Sequence, residues 1–547
     1  MKIYEAVAHA LAEEGVDEIF GLMGDGNLRL LTYWSQELGR GYYGTRHESA
    51  AVAMADGYAR VSGRVGVCST TQGPGVTNTL TALVNARKAR TPVVLLVGDV
   101  ASFQKGWPQD IDHAAVFAAA DVPLITIDDP STAYSDVVRA TRLALQHRGP
   151  VGLNLPIDAQ EREWNAWEDE TTVDTEAAAL PPIDAGDIRR AADVLEQGRR
   201  VVVLAGRGAV ESNCSDTLIS IGDRLGALFV TSLGGKGVFG DHSFSLGVAG
   251  GLGSNLAVQL VGAADTVLVV GAGMNDFTTM RGTLLSEKTR IVRCDLDAAR
   301  AHAMANTSVA LIGDAADVLA ALDAELAARG TTKDGYRKDA ADQLRDRPRD
   351  SEFQSVNDLD AADPREVVIR LDELLPRDRT VITDAGHFFG YPVAYMGVPD
   401  GRSFVCGIDF GSIGLGIGLA MGAAVARRDR PTVLFVGDGG MLMSLGDLET
   451  AVRYRLPICI VVLNDAAYGS ELQILRLWDL PEQLSVFPIT DFAAAAVALG
   501  MPARTARSVD DVERFAKEVT WDSGPTLVDC VISRSVRAAW LEEAFRH

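Results

Sequence analysis

Short runs of consecutive apolar, β-branched residues alternate along this 547-residue chain with stretches whose apolar positions recur every three or four residues. The runs at 91–97, 200–205, 266–270, 432–436, 458–463 and 526–531 show almost no polar alternation. That is the pattern of strands buried on both faces. After the run at 432–436 comes a glycine turn, and then Leu445, Leu448 and Val452 fall on one helical face up to Pro457. Strand, turn, helix and strand in that order make a crossover unit, whose two strands are parallel neighbours. The alternation recurs in three blocks and predicts an α/β protein of three doubly wound parallel-sheet domains, at 1–162, 184–328 and 364–547.

In the first block strands are expected at 18–21, 42–45, 65–69, 91–97 and 149–156, with helices up to residue 15 and over 50–59 and 76–86. The second block offers strands at 200–205, 228–230, 266–270 and 289–294, and the third at 380–383, 432–436, 458–463 and 526–531. The acidic stretch 161–183 and the charged stretch 326–363 read as connections between domains.

Length supports more than one core, because single cores stop growing at about 250–300 residues. A net charge of −23 argues against nucleic acid or an anionic membrane as partner. The six cysteines lie far apart, mostly in apolar runs, with neither metal-site spacing nor a disulfide framework. The N-terminal amphipathic stretch carries acidic residues, unlike a signal peptide, and no segment approaches the roughly 20 apolar residues of a spanning helix. A cytoplasmic location is expected.

Two acids stand out by position. Asp438 lies in Gly437-Asp438-Gly439-Gly440, and Asp465 follows Asn464, each just past the carboxyl end of one of two adjacent predicted strands. Ligands of α/β sheets bind at that edge. Two oxygen side chains beside glycine amides and a helix N-terminus can hold a hard dication and the phosphates it bridges. The competing reading makes Asp438 an ordinary helix cap.

The GDGG sequence with Asn464-Asp465 at this spacing resembles the diphosphate-binding motif of thiamin-diphosphate enzymes, and the resemblance extends over essentially the whole chain. It implies thiamin diphosphate and Mg²⁺ as cofactors. Asp438, Asp465 and the main-chain carbonyl of Ala467 would be the metal ligands, with Gly437, Gly439, Gly440 and Tyr468 beside the cofactor. Most members have Asn where this chain has Asp465, which adds a negative charge next to the diphosphate.

Arg46-His47-Glu48, followed by ADGYAR at 55–60, resembles the acetolactate synthase branch. There the glutamate hydrogen-bonds the aminopyrimidine ring and helps a proton leave the thiazolium C2, a role that falls to Glu48. In the glycine-rich stretch 407–414 the resemblance makes Ile413 the wedge that bends the cofactor and the Gly411 carbonyl an acceptor for its amino group. Gly386 and His387 are placed near the diphosphate, His387 reading equally as a capping residue. Asn78 closes the stretch QGPGVTN (72–78), which resembles the synthase loop SGPGATN, and is assigned to the cofactor site.

For the substrate, the loop 20–28 resembles that of pyruvate decarboxylase and gives Asp25 a role in proton handling; Glu471 matches the decarboxylase glutamate on the last domain. Two carboxylates across one cleft repel, so one is expected to have a raised pKa and act as an acid. The adjacent histidine pair of pyruvate decarboxylase is missing from 104–110, and Gln109 falls where acetolactate synthases place a glutamine. The middle block resembles the synthase FAD-binding domain at 204–209 and 240–242, but 271–276 lacks the arginine of many flavin- or nucleotide-binding relatives, so FAD stays open.

The resemblance implies decarboxylation of a small-molecule 2-oxo acid and transfer of its acyl-carbanion unit to an acceptor carbonyl. The alternatives are a simple 2-oxo acid decarboxylase that releases an aldehyde, and a catalytically silent cofactor-binding subunit. A homodimer or homotetramer is expected, because Glu48 and the metal residues lie in domains that meet across a subunit boundary in such enzymes.

Overall fold

The computed structural model describes residues 1–164, 182–345, 352–356, 358, 360–519 and 523–545. Much of the expected connection at 161–183, and residues 346–351, 357 and 359 of the one at 326–363, lie outside the described residues.

Three six-stranded sheets form, and every pairing between their strands is parallel. The first contains β1 (Glu18–Gly21), β2 (Gly41–Gly44), β3 (Gly66–Thr70), β4 (Val93–Asp99), β5 (Leu124–Thr126) and β6 (Pro150–Pro156), in the order β2-β1-β3-β4-β6-β5. The second contains β7 (Val201–Ala205), β8 (Leu228–Thr231), β9 (Ser245–Val248), β10 (Thr266–Val270), β11 (Arg290–Asp295) and β12 (Thr307–Ile312). Its order, β9-β8-β7-β10-β11-β12, is the 3-2-1-4-5-6 arrangement of dinucleotide-binding folds. The third contains β13 (Thr380–Thr383), β14 (Phe404–Cys406), β15 (Thr432–Gly437), β16 (Ile458–Asn464), β17 (Ala503–Ala506) and β18 (Thr526–Val531). Its order, β14-β13-β15-β16-β18-β17, repeats that of the first sheet strand for strand. The outer domains share one connectivity.

Five strands were not expected from the apolar pattern: β5, β9, β12, β14 and β17. All five are sheet edges. An edge strand packs fewer neighbours, and these are short or partly exposed, so none needs a continuous apolar run. Two helices expected to be single are each broken in two. The stretch 76–86 becomes Pro74–Thr77 and Leu80–Lys88, and the crossover after β15 becomes Asp438–Met443 and Asp447–Arg453. At the second break the Ser444 hydroxyl donates to the Gly440 carbonyl at 3.0 Å, and such local bonds compete with the helix ladder.

The two outer sheets share one core, and its centre is a pair of helices, Glu48–Ser62 and Gly416–Ala426. Both are rich in alanine, glycine and other small residues, and their backbones come into contact. A Cβ on Gly57 would run into the main chain of Leu419, and one on Gly422 into that of Met54. Helix Glu48–Ser62 is also pinned at both ends to the third domain. The Arg46 N–H donates to Asp447 Oδ1 at 2.9 Å. At the other end the buried Arg60 guanidinium holds Asp56 through two bonds and Asp409 at 2.8 Å. Among the described residues, no helix is long and apolar enough to cross a membrane.

The close contact predicts that Gly57→Ala destabilises the protein by about 1–3 kcal/mol, the usual cost of overpacking a filled core. A lower guanidinium midpoint at unchanged slope reads it. Gly273→Ala, at a position with open space around it, should leave the midpoint in place.

Candidate active site

Every candidate residue of the third domain sits at the carboxyl edge of its sheet, beyond β13, β14, β15 or β16. Between β13 and β15 the strand order reverses, which opens a crevice there. Gly437 ends β15, and Asp438 is the first residue of the helix that follows. Gly437 is the N-cap, and the main-chain N–H groups of Gly439 and Ala467 both donate to the Asp438 carboxylate. Its Oδ2 accepts from the Ala467 N–H at 3.1 Å, so the loops after β15 and β16 are joined. Ala466 takes a left-handed conformation (φ 51°) as the second loop turns. Asn464 is used up in the fold: its amide donates to the Thr490 carbonyl at 3.0 Å and to Asp529 Oδ1 at 2.9 Å. Asp465, next in the chain, is left free to act.

Asp438 and Asp465 are both buried. Burial pushes each carboxyl up to about 7, and for Asp438 the charge of Asp465 adds to the rise. His387 lies beside them, with Nε2 3.6 Å from Asp465 Oδ2. Burial lowers its pKa to about 4, so it is neutral at pH 7 and supplies no counter-charge. The Arg534 guanidinium is spent on the main-chain carbonyl of Asp465. Two buried acids whose carboxyls stay raised, although the Arg534 charge favours ionisation of Asp465, and which are flanked by oxygen donors, fit a hard dication. The glycines fit the rest. A Cβ at Gly439 would strike the Tyr468 ring, and Ile413 closes the same space.

The glycine-rich loop is held by Asp384, at the end of β13. Its two oxygens accept from the Gly414 N–H at 2.8 Å and the Gly416 N–H at 3.1 Å, directly after Ile413. Burial raises the Asp384 carboxyl to about 6 despite these bonds. The strand-end acid gave no sequence signal beyond its place after an apolar run. Gly386 and Gly411 both take positive φ, 142° and 74°. Glu471, exposed in the first turn of helix Gly469–Leu477, is close enough to raise the pKa of His387.

The first domain presents its residues at the matching edge, beyond β1 to β4. Buried Glu48 opens helix Glu48–Ser62, and its Oε2 accepts from Asn78 Nδ2 at 3.0 Å. Separately, Asp25 Oδ1 accepts from Gln72 Nε2 at 2.9 Å, and the same nitrogen donates to Gln109 Oε1 at 3.0 Å. Gln72 carries no sequence signal beyond its place in the glycine-rich loop 72–78. Asp25 and Glu471 lie on different domains and share no hydrogen bond or ion pair among the described residues.

Within one chain Glu48 lies at the far end of its helix from the residues that lead into the Ile413 loop. Glu48 and Arg60 stand at opposite ends of the same helix, twelve residues or about 18 Å apart along its axis. It is the Arg60 end that meets Asp409 and the Cys406 carbonyl, at the start of the loop carrying Ile413.

Between the three domains lies a cavity of about 540 Å³ at the β7/β10 crevice of the middle sheet. Arg60, Lys88, Arg90, Arg148, Arg207 and Arg300 line it, above a floor of closely packed glycines including Gly208 and Gly271. Burial lowers the Arg207 pKa, and the nearby Arg60 adds to the effect.

Outer domains of identical connectivity, one with two buried acids and glycines at its ligand edge and the other with buried Glu48 at the matching edge, define a class of α/β protein. Comparison with known sequences agrees with that geometry. "Thiamine pyrophosphate enzyme, N-terminal TPP binding domain" matches residues 1–116, the corresponding "central domain" 188–322 and the "C-terminal TPP binding domain" 384–530. A "Probable acetolactate synthase large subunit" of Methanocaldococcus jannaschii is 30% identical over 97% of this chain and 92% of its own length. A "Probable 2-ketoarginine decarboxylase" of Pseudomonas aeruginosa is 30% identical over 96% and 93%. A "Sulfoacetaldehyde acetyltransferase" of Castellaniella defragrans is 29% identical over 85% and 81%. The chain belongs to the thiamine pyrophosphate enzyme family, on the acetolactate-synthase-like side.

Asp438→Ala is expected to weaken Mg²⁺-dependent thiamin diphosphate binding by more than about 100-fold, since even outer-shell losses cost a metal site 10–100-fold. Asp465→Asn should bind at least as well as the parent, because the amide keeps an oxygen donor and removes one buried charge. Calorimetric titration reads both; undetectable binding in Asp465→Asn would show that the extra charge is needed.

Proposed function

We propose that this chain is a thiamin-diphosphate- and Mg²⁺-dependent enzyme that decarboxylates a 2-oxo acid and passes the acyl unit to an acceptor carbonyl. The observation that carries the reading is the pairing at the first-domain edge: Glu48 held by Asn78, and beside it a substrate set built on Gln109 rather than on histidines. Asp438, Asp465 and the Ala467 carbonyl would hold the metal. When bound, the thiazolium supplies the nucleophilic carbon and the electron sink for loss of CO₂. Glu48 shares a proton with the aminopyrimidine ring, and its burial keeps water from competing for that bond. Ile413 and the Gly411 carbonyl set the cofactor's shape, while Gly386, His387 and the amides of 437–440 receive its diphosphate.

Relatives described as an acetolactate synthase, an acetyltransferase and a decarboxylase bracket the reaction. The simple decarboxylase remains the second reading, supported by Asp25 and Glu471, either of which could deliver the proton that releases an aldehyde. The product formed from pyruvate separates the readings. Acetolactate supports acyl transfer, acetaldehyde the decarboxylase, and no product from any 2-oxo acid a silent cofactor-binding subunit. Glu48→Gln should keep most cofactor affinity but slow C2 proton exchange by about 10²–10⁴, the usual worth of a positioned acid–base group. Exchange at the parental rate would take Glu48 out of the mechanism.

The working unit in this reading is at least a homodimer, with Glu48 of one chain facing Asp438 of the other. In support, apolar Leu442 and Met443 stand exposed directly after the GDGG turn, and Met23 and Leu28 flank Asp25. Cytoplasmic residence fits six free cysteines, of which five are buried. The cationic interdomain cavity suits a phosphate-bearing nucleotide, flavin included. A mixing experiment tests the shared site: Glu48→Gln and Asp438→Ala chains are dissociated, combined in equal amounts and reassociated. Half the dimers are then mixed, each with one intact site, and about a quarter of parental turnover should return. Background activity would mean that each site is built within one chain.

A further inference from the structure

Gln72 stands where the synthase-like loop SGPGATN has serine, and its side chain is only 1% exposed. Its carboxamide is fully used. Nε2 donates to Asp25 Oδ1 at 2.9 Å and to Gln109 Oε1 at 3.0 Å, while Oε1 accepts from the Thr71 hydroxyl at 2.6 Å. The charge on Asp25 decides which way round the amide lies, because the reverse orientation would set an amide oxygen against a carboxylate. Once Gln72 is fixed, so is Gln109. The Gln109 oxygen must face the Gln72 N–H, so its own amino group is turned away, with no acceptor among the described residues.

The surroundings hold this order in place. A Cβ on Gly26 would overlap Gln72 Oε1, so the loop after β1 admits the glutamine only over a glycine. Below, the Gly73 N–H donates to His113 Nε2 at 3.4 Å. That leaves the proton on Nδ1, which donates to Asn154 Oδ1 at 2.9 Å; Asn154 Nδ2 in turn donates to Asp99 Oδ2 at 2.9 Å. This buried chain fastens the turn that carries Gln72 to strands β4 and β6. Among the described residues, no hydrogen bond joins Gln72 or the chain beneath it to Glu48 or the Asn78 side chain.

We propose that Gln72 is a positioning residue: oriented by Asp25, it holds the Gln109 carboxamide with its N–H groups directed at the substrate. The first-domain site then recognises a 2-oxo acid by donation to its carboxylate or carbonyl oxygen, a polarity the side chain of Gln109 alone would not fix. This rests on the reading of the chain as a 2-oxo acid enzyme.

The test compares the parent with Gln72→Ser, Gln72→Glu, Gln109→Ala and the double variant Gln72→Ser/Gln109→Ala. Pyruvate and a panel of other 2-oxo acids are the probes, with thiamin diphosphate affinity and C2 exchange measured alongside. In Gln72→Ser and Gln72→Glu, KM should rise about tenfold or more while kcat stays within about threefold, the pattern of lost uniform substrate binding. Cofactor affinity and C2 exchange should match the parent. Adding Gln72→Ser to Gln109→Ala should change kcat/KM less than about twofold, because one residue acts through the other. Parental KM in both single variants, independent multiplication of the two effects, or loss of cofactor affinity together with KM would each overturn the assignment. A parent that turns over no 2-oxo acid would overturn the underlying reading as well, before any variant is compared.

Discussion

The close approach of helices Glu48–Ser62 and Gly416–Ala426 governs the rest of the architecture. Their backbones meet at Gly57 and Gly422, where any side chain would collide with main chain. Arg60 and Arg46 then tie the two ends of the first helix to the third domain. The contact joins two domains of identical connectivity into one core. It also fixes their ligand edges so that Glu48 and the Ile413 loop lie at opposite ends of one helix.

The third-domain half shows why its acids are expensive to keep. Asp438, Asp465 and Asp384 are all buried and all raised in pKa, and His387 beside them is neutral. An apolar replacement would relieve each of these costs. Asp384 offsets its own cost by accepting two main-chain N–H groups and so setting the wedge loop. Asp438 and Asp465 stay higher still despite main-chain N–H groups and, for Asp465, the charge of Arg534, which is the electrostatic case for a dication there. The middle cavity has the opposite balance, with six basic side chains against the acids Glu211, Asp295, Asp297 and Asp409, in a protein of net charge −23.

The first-domain half is ordered by hydrogen-bond direction rather than charge density. Asp25 orients Gln72, and Gln72 orients Gln109, so one carboxylate determines what a neutral amide offers to solvent. Such a relay needs a buried, paired amide at Gln72, because a side chain free to turn would present oxygen and nitrogen equally.

The sequence alone determined the central strands, the three-block α/β organisation and the acids at the β15 and β16 ends. Each of these rests on local pattern: continuous apolar runs buried on both faces, and glycine or acid residues at the strand ends. It did not show β5, β9, β12, β14 or β17, because an edge strand is specified by the neighbour it pairs with rather than by its own hydrophobicity. Nor did it show the breaks around Ser444 and after Thr77, where local bonds interrupt a helical pattern. Spacing could not separate Asn464, committed to Asp529 and the Thr490 carbonyl, from Asp465, left available. Gln72 read as one residue of a glycine-rich loop, and Asp384 as the end of a strand. Only the tertiary structure decided these roles, because each depends on a partner tens of residues away: Asp25 and Gln109 for the one, the amides of Gly414 and Gly416 for the other.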